Sequence, residues 1–510
     1  MPRSLQIIFT ALFATTFIIW FVLLSQVRVN ADVAWLTQAA EHLLNGQSMV
    51  EYYFETNPPM SILIYIPVAL MKQLGLQTWD ALNIYVAVLT ALSALASAYY
   101  LRKWDLSAPT IAIFVLGFLF SATFLSTYDY GQRDQIIGVI LLPFVLGQLS
   151  ITYNHRPHTL INIAVFVIGS IFILVKPHFG LIPTVLLFHR LYRTKSLRVI
   201  LDGDFIILAL STITYIAVVL TYFPGFVSTI LPVSLDVYAG TPLYVTSTSH
   251  AIGLAILSGL VCVFIAFSTL TSEQKHLFIA LCVVSVLCLI PYAMQNKGFH
   301  YHLIPYLSFA SLLMFSTAFF YVKEQKNGKF VKWFFGAVLV ASLLVNVQIH
   351  DTNKHVSHDF LQDSPVAQRI AQIPEDGSFY VEYISTAVVI QISEYYDREY
   401  ASRLPAIWTF PAPKLKETNK QKFDEYLNLT KDIIFEDFER YHPDVIFLLN
   451  DKKTLNILTA FEDTPEFREF FDNYVYEGTM QSKYLSYMFS MDEKVDFEYA
   501  VYARKDVPHE

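Results

Sequence analysis

The sequence predicts an α-helical polytopic membrane protein carrying a soluble α/β domain at its C-terminal end. Three observations carry that prediction. Hydrophobic side chains make up 54% of the 510 residues and charged ones only 15%, a balance that soluble chains rarely show. Mean hydropathy is +0.44, and apolar runs of bilayer length recur up to residue 349. Beyond that the composition inverts: residues 350–510 hold 30 acidic and 17 basic side chains, whereas residues 1–349 net +5.

A hydrocarbon core of about 30 Å takes roughly 20 helical residues to cross. Runs that meet this lie near 5–26, 80–101, 107–127, 135–153, 159–175 and 178–192, then 203–223, 248–270, 276–295, 302–321 and 330–349, or about eleven spans. The first run is longer than a secretory-signal core, which favours an uncleaved helix over a leader cut near Val29-Asn30-Ala31. The apolar stretch after Pro58-Pro59, from Met60 to Met71, is short and ends at Lys72, so it is read as a juxtamembrane element of a first external loop, 28–79. With that choice, thirteen of the eighteen basic residues before position 350 fall on one side, Arg3 at the N-terminus and twelve in the even-numbered loops. Basic residues mark the cytoplasmic side, so the N-terminus is expected inside and residues 350–510 outside, as a periplasmic domain.

Within 350–510, the runs starting at Ser378 and Asp444 read as strands, and Phe423–Arg440 and Leu455–Tyr474 as helices. All three cysteines, Cys262, Cys282 and Cys288, fall in predicted spans, so the external part is expected to lack disulfides. No Gly-rich phosphate loop, zinc signature or tandem Cys pair is present. The acidic balance argues against nucleic acid as a partner.

Basic residues predicted on the external side near membrane level sit in distinctive motifs. Arg133 and Asp134 close Tyr128-Asp129-Tyr130-Gly131-Gln132-Arg133-Asp134; Lys176 opens Lys176-Pro177-His178-Phe179-Gly180; Lys297 precedes Gly298-Phe299-His300-Tyr301-His302. Charge at such depth is costly unless paired or facing a polar cavity. An anionic phosphate at headgroup level would use it, with Lys176 and Lys297 as preferred clamps and Arg133, His300 and His302 as further candidates. Plainer readings stand beside these: a snorkelling lysine, an Arg133 pair with Asp129 or Asp134, ordinary interfacial histidines. Asp32 follows the first span and fits a general base for a hydroxyl nucleophile, or a helix cap. Residues 33–44 place Val33, Leu36, Ala40, Leu43 and Leu44 at helical spacing, suggesting a helix along the membrane surface that ends at Gly46. Glu55 and Asn57 are candidates to bind sugar hydroxyls, and Tyr53 to stack on a sugar or lie in the interfacial belt.

Together these motifs resemble the GT-C superfamily of polyprenyl-phosphate-sugar-dependent glycosyltransferases, the protein mannosyltransferase and lipid A aminoarabinose transferase group. The Asp32 loop is similar to that superfamily's catalytic-aspartate loop. Tyr53-Phe54-Glu55-Thr56-Asn57-Pro58-Pro59 resembles its Tyr-Phe-Glu-x-x-Pro-Pro stretch, and Asp134 falls where a second external acidic residue is expected. Lys176-Pro177-His178-Phe179-Gly180 resembles the Lys-Gly-Pro-x-Gly turn of the aminoarabinose transferases, with Pro for the first Gly and His for Pro. Tyr301-His302-Leu303-Ile304-Pro305 resembles their Tyr-x-Leu-x-Pro segment. The resemblance covers roughly residues 1–350.

It implies a GT-C catalytic domain over 1–349 and an inverting hexosyl- or pentosyltransferase in a bacterial inner membrane. Its partners would be a polyprenyl-phosphate-linked sugar and a lipid, glycan or protein acceptor of the cell envelope. Some members use a divalent metal such as Mg or Mn; Asp32 and Asp134 are its conceivable ligands, and the sequence leaves that metal unassigned. A transporter or flippase of lipid-linked sugars, and a non-catalytic envelope-assembly protein, are the other classes this pattern admits.

Overall fold

A computed structural model describes residues 29–126, 129–155, 158–238, 247–266, 268, 270–296, 298–324, 364–382, 389–485 and 494–505. The expected spans 5–26 and 330–349, and Lys297, lie outside the described residues. The chain forms two compact units. One comprises residues 79–218 with the described part of 242–351; the other joins the described parts of 27–78 and 219–241 to 352–510.

In chain order, helix α1 spans Ala31–Leu44 and α2 Ile66–Gln73. Then come α3 (Thr78–Leu101), α4 (Ala108–Phe124), α5 (Arg133–Thr152), α6 (Thr159–Val175), α7 (Leu181–Thr194) and α8 (Gly203–Tyr222). They are followed by α9 (Ser247–Ala266), α10 (Ser272–Leu287), α11 (Leu289–Gln295) and α12 (Ile304–Glu324). Each expected span that falls among the described residues is helical. Among the described residues, four helical stretches, Thr78–Trp104, Arg133–Thr152, Gly203–Tyr222 and Ser272–Gln295, are long and apolar enough to cross a membrane, and shorter apolar helices accompany them.

The helical unit is built around α5, which is buried on all sides apart from a half-exposed Ile151. A helix apolar around its whole circumference belongs in such a position. Gly138 lets α12 approach it: a Cβ there would sit 3.2 Å from Ser308 Oγ and 3.3 Å from Pro305 Cα. That crossing brings the N-terminal turns of α5 and α12 together.

In the second unit, Asn30 caps α1, its side chain accepting the Asp32 amide at 2.9 Å. At the other end Gly46 takes φ +76°, its amide bonding Leu43 O and that of Gln47 bonding His42 O, the two bonds of a Schellman stop. The sequence suggests a helix lying on the membrane surface. Val33, Ala34, Trp35, Leu36, Thr37, Ala39 and Ala40 are buried within the protein, and α1 packs on α2 and on the helix Val389–Tyr396. Met60–Met71 is two short helices, Met60–Leu63 and the start of α2, parted at Ile64-Tyr65 before Pro67.

Beyond residue 363 the unit continues with α13 (Pro365–Ala371), β1 (Ser378–Val381), α14 (Val389–Tyr396), β2 (Glu399–Tyr400), α15 (Lys420–Tyr441) and β3 (Val445–Leu449). It closes with α16 (Ile457–Phe461), α17 (Pro465–Phe471), β4 (Tyr474–Leu485) and β5 (Lys494–Arg504). The sheet order is β2-β1-β3-β5-β4; β2, β1 and β3 are parallel, and β5 runs antiparallel to β3 and β4. The helix expected over 455–474 is broken, because Thr464 starts a new one by accepting the Phe467 amide and Pro465 follows. The first loop and the C-terminal part are knit by charge. Glu394 accepts from Gln38, Lys72 and Thr78. Arg403 grips Asp437 at 2.6 Å and donates to Val50 O, while its own carbonyl accepts the Phe54 amide.

Glu382, at the end of β1, is buried and accepts the amides of Leu449 (2.9 Å) and Ile457 (2.8 Å). Burial outweighs those two bonds and pushes its carboxyl from 4.5 up to about 8. The folded state therefore binds the extra proton between those values, and its stability falls as pH rises through that window. Glu382→Gln is expected to flatten the slope of melting temperature against pH between about 4.5 and 8, a difference on the order of a few kcal/mol; parallel slopes would remove this assignment.

Candidate functional site

The helical unit gathers Arg133, Asp134, Lys176 and His302 from three separate segments. Asp129-Tyr130-Gly131-Gln132 forms a turn closed by the Gln132 amide on Asp129 O at 3.0 Å. Gly131 occupies its third position at φ +81°, a conformation such turns assign to glycine; a Cβ there would also lie 2.7 Å from Leu82 Cδ2. The turn launches α5 with Gln132 as N-cap and puts Arg133 and Asp134 in its first turn, where a carboxylate is favoured by the helix dipole. Lys176 ends α6 in an extended conformation, and Pro177–Gly180 makes a single turn into α7. His300–Leu303 is a matching turn in front of α12.

The ammonium of Lys176 donates to Asp134 Oδ2 at 2.5 Å and lies 3.2 Å from His302 Nδ1. His302 Nδ1 is 3.7 Å from the same carboxylate oxygen. Arg133, Asp134, Lys176 and His302 are all at least nine-tenths buried. The Tyr301 ring faces Lys176 Nζ at 5.2 Å and meets the His302 ring edge-on at 4.2 Å. His178 is close enough to feel the charges of both Lys176 and Asp134, and its Nε2 is buried without a hydrogen-bond partner among the described residues. At the rim, His300 Nδ1 pairs with Asp129 Oδ2 at 2.9 Å. Burial disfavours the His300 imidazolium, but the Asp129 carboxylate outweighs it and raises the His300 pKa.

The carboxylate beside Lys176 is Asp134, so Lys176 is an ion-paired lysine, and Asp129 pairs with His300. Arg133 and Lys176 are the cations of the cluster.

The remaining candidates lie in the other unit. Asp32 is the second residue of α1, half-exposed, and Asn30 rather than Asp32 supplies the cap. Glu55 is buried and accepts Trp35 Nε1 at 2.7 Å, the Asn57 amide at 2.7 Å, Thr56 Oγ1 at 3.3 Å and the Asn57 side chain. Glu55 and Asn57 thus brace the loop. Tyr53, expected to stack on a sugar or lie in the interface, is 1% exposed and stacks on His42.

Sequence reasoning missed Trp35, whose indole holds Glu55, although a tryptophan one turn after Asp32 in a loop rich in aromatics and acids was a usable signal. Among the described residues no three His, Cys, Asp or Glu side chains gather as metal ligands. An ammonium, moreover, occupies the place beside Asp134 that a cation would take.

No family model matches the sequence, and no curated protein matches it. Among solved structures, ArnT from Cupriavidus metallidurans in the apo state matches over 98% of both chains at 13% identity, with a TM-score of 0.53. ArnT of the same organism bound to undecaprenyl phosphate matches over the same shares at 13% identity, with a TM-score of 0.51. This chain therefore shares the fold of ArnT over nearly its whole length.

Proposed function

We propose that this protein is a GT-C glycosyltransferase of a bacterial inner membrane. It moves a sugar from a polyprenyl-phosphate donor to an envelope acceptor, with inversion, at the external face. About eleven crossings, a cytoplasmic N-terminus and a periplasmic C-terminal domain complete this reading.

The observation that carries it is the buried charge of the Arg133–Asp134–Lys176–His302 cluster. Arg133 and Lys176 place two buried cations beside Asp134, which suits the negative charge of a phosphodiester joining sugar to lipid. The first turn of α5 adds the positive end of a helix dipole. When the sugar–phosphate bond breaks, the leaving phosphate gains negative charge, and fixed cations stabilise that charge more in the transition state than in the ground state. The ArnT structure bound to undecaprenyl phosphate makes a polyprenyl phosphate the first ligand to test. The acceptor hydroxyl attacks the anomeric carbon from the opposite face, and Asp32 takes its proton.

Two measurements test this. Purified full-length protein in nanodiscs is expected to bind undecaprenyl phosphate. Mass spectrometry of glycolipids, glycans and glycoproteins is expected to show one sugar modification missing from cells without the gene. An unchanged envelope together with no binding would sink the proposal.

A further inference from the structure

Lys176 and His302 are in contact, and the chemistry of that contact fixes where the histidine proton sits. An ammonium offers only hydrogens. With its nitrogen 3.2 Å from His302 Nδ1, the ring nitrogen must accept. A ring carrying a proton on Nδ1 would press N–H against N–H. Asp134 Oδ2 lies 2.5 Å from Lys176 but 3.7 Å from Nδ1, so the carboxylate holds the ammonium in place rather than drawing a proton onto Nδ1. His302 is therefore neutral and carries its hydrogen on Nε2.

That Nε2–H has no hydrogen-bond partner among the described residues, on a side chain 3% exposed. A buried donor left unmet costs about 1–3 kcal/mol, and such groups call for an explanation. Here the unmet donor sits in a cluster whose charge already suits an anion.

We infer that His302 Nε2–H is a direct donor to a phosphate-ester oxygen of the polyprenyl lipid, and that Lys176 and Asp134 act on that ligand through it by fixing the tautomer. The inference rests on the proposed function. It assigns the ligand contact to an imidazole and makes Lys176 in large part a positioning residue. Tyr301, edge-on to the ring at 4.2 Å, keeps the imidazole from turning over.

The test compares His302→Asn with His302→Gln in full-length protein, held in phosphatidylglycerol nanodiscs so that bilayer phosphate is present throughout. Asn keeps an acceptor near Nδ1 and loses the distal donor, whereas Gln carries an amide N–H out to the position of Nε2. Undecaprenyl phosphate affinity is expected to fall about 10- to 100-fold in His302→Asn, the worth of one hydrogen bond to a charged group, and to be largely retained in His302→Gln. Histidine 15N spectra, with His302 assigned by its loss in His302→Asn, are expected to show a protonated Nε2 that shifts when undecaprenyl phosphate is added. Binding by His302→Asn equal to wild type, or a proton on Nδ1, overturns the inference and leaves the proposed function standing. If wild-type protein binds no undecaprenyl phosphate, both fall.

Discussion

Sugar transfer by the Asp32→Asn variant is expected to drop about 10²- to 10⁴-fold, the usual contribution of a positioned general base, with undecaprenyl phosphate binding unchanged. An amide cannot take the acceptor's proton, whereas it nearly reproduces the carboxylate's shape. Asn30, not Asp32, caps α1, so the helix start survives the change. The helix dipole loses one favourable charge in its first turn, about 0.3–1 kcal/mol. The variant should therefore express, melt close to wild type and still hold its lipid. Transfer at the wild-type rate would remove Asp32 from the mechanism, and loss of binding along with transfer would recast it as a ligand contact.

How much of this was legible beforehand follows from the range of the interactions. Helices near 80–101, 135–153 and 203–223 were readable because an apolar run of bilayer length has few other uses. Lys176 and His302 stood out because each interrupts such a run. Their meeting with Asp134 was not legible. The three come from segments 42 and 126 residues apart along the chain from Lys176, and they meet only where Gly138 lets α5 and α12 close.

Sequence spacing also hid the partners of Glu55. Glu55 and Asn57 have the chemistry to bind a sugar, and Glu55 in addition accepts from Trp35 and Asn57. The hairpin of β4 and β5 was missed for a related reason. Tyr474–Leu485 and Lys494–Arg504 are mixed polar and apolar strands whose signal appears only once β5 is paired with β3 and β4 with β5.

The Asp134–Lys176 pair sets up the second large effect: removing one partner is expected to harm the fold far more than removing both. Lys176→Met leaves a buried carboxylate without its ammonium, and Asp134→Asn leaves the ammonium without its carboxylate. Breaking a buried pair from one side costs about 3–5 kcal/mol, equivalent to a fall of about 6–20 °C in melting temperature for a unit of this size. The double variant Lys176→Met, Asp134→Asn buries no unmatched charge, and its melting temperature is expected to return most of the way to wild type.

Ligand binding should not follow stability back. Arg133 alone would then face the phosphate, and nothing would hold the His302 proton on Nε2. Undecaprenyl phosphate affinity is thus expected to stay low in the double variant while the fold recovers. That separation distinguishes a binding cluster from a structural ion pair. A purely structural pair would bring affinity back with melting temperature, and a double variant less stable than either single one would show that the two charges do not compensate each other.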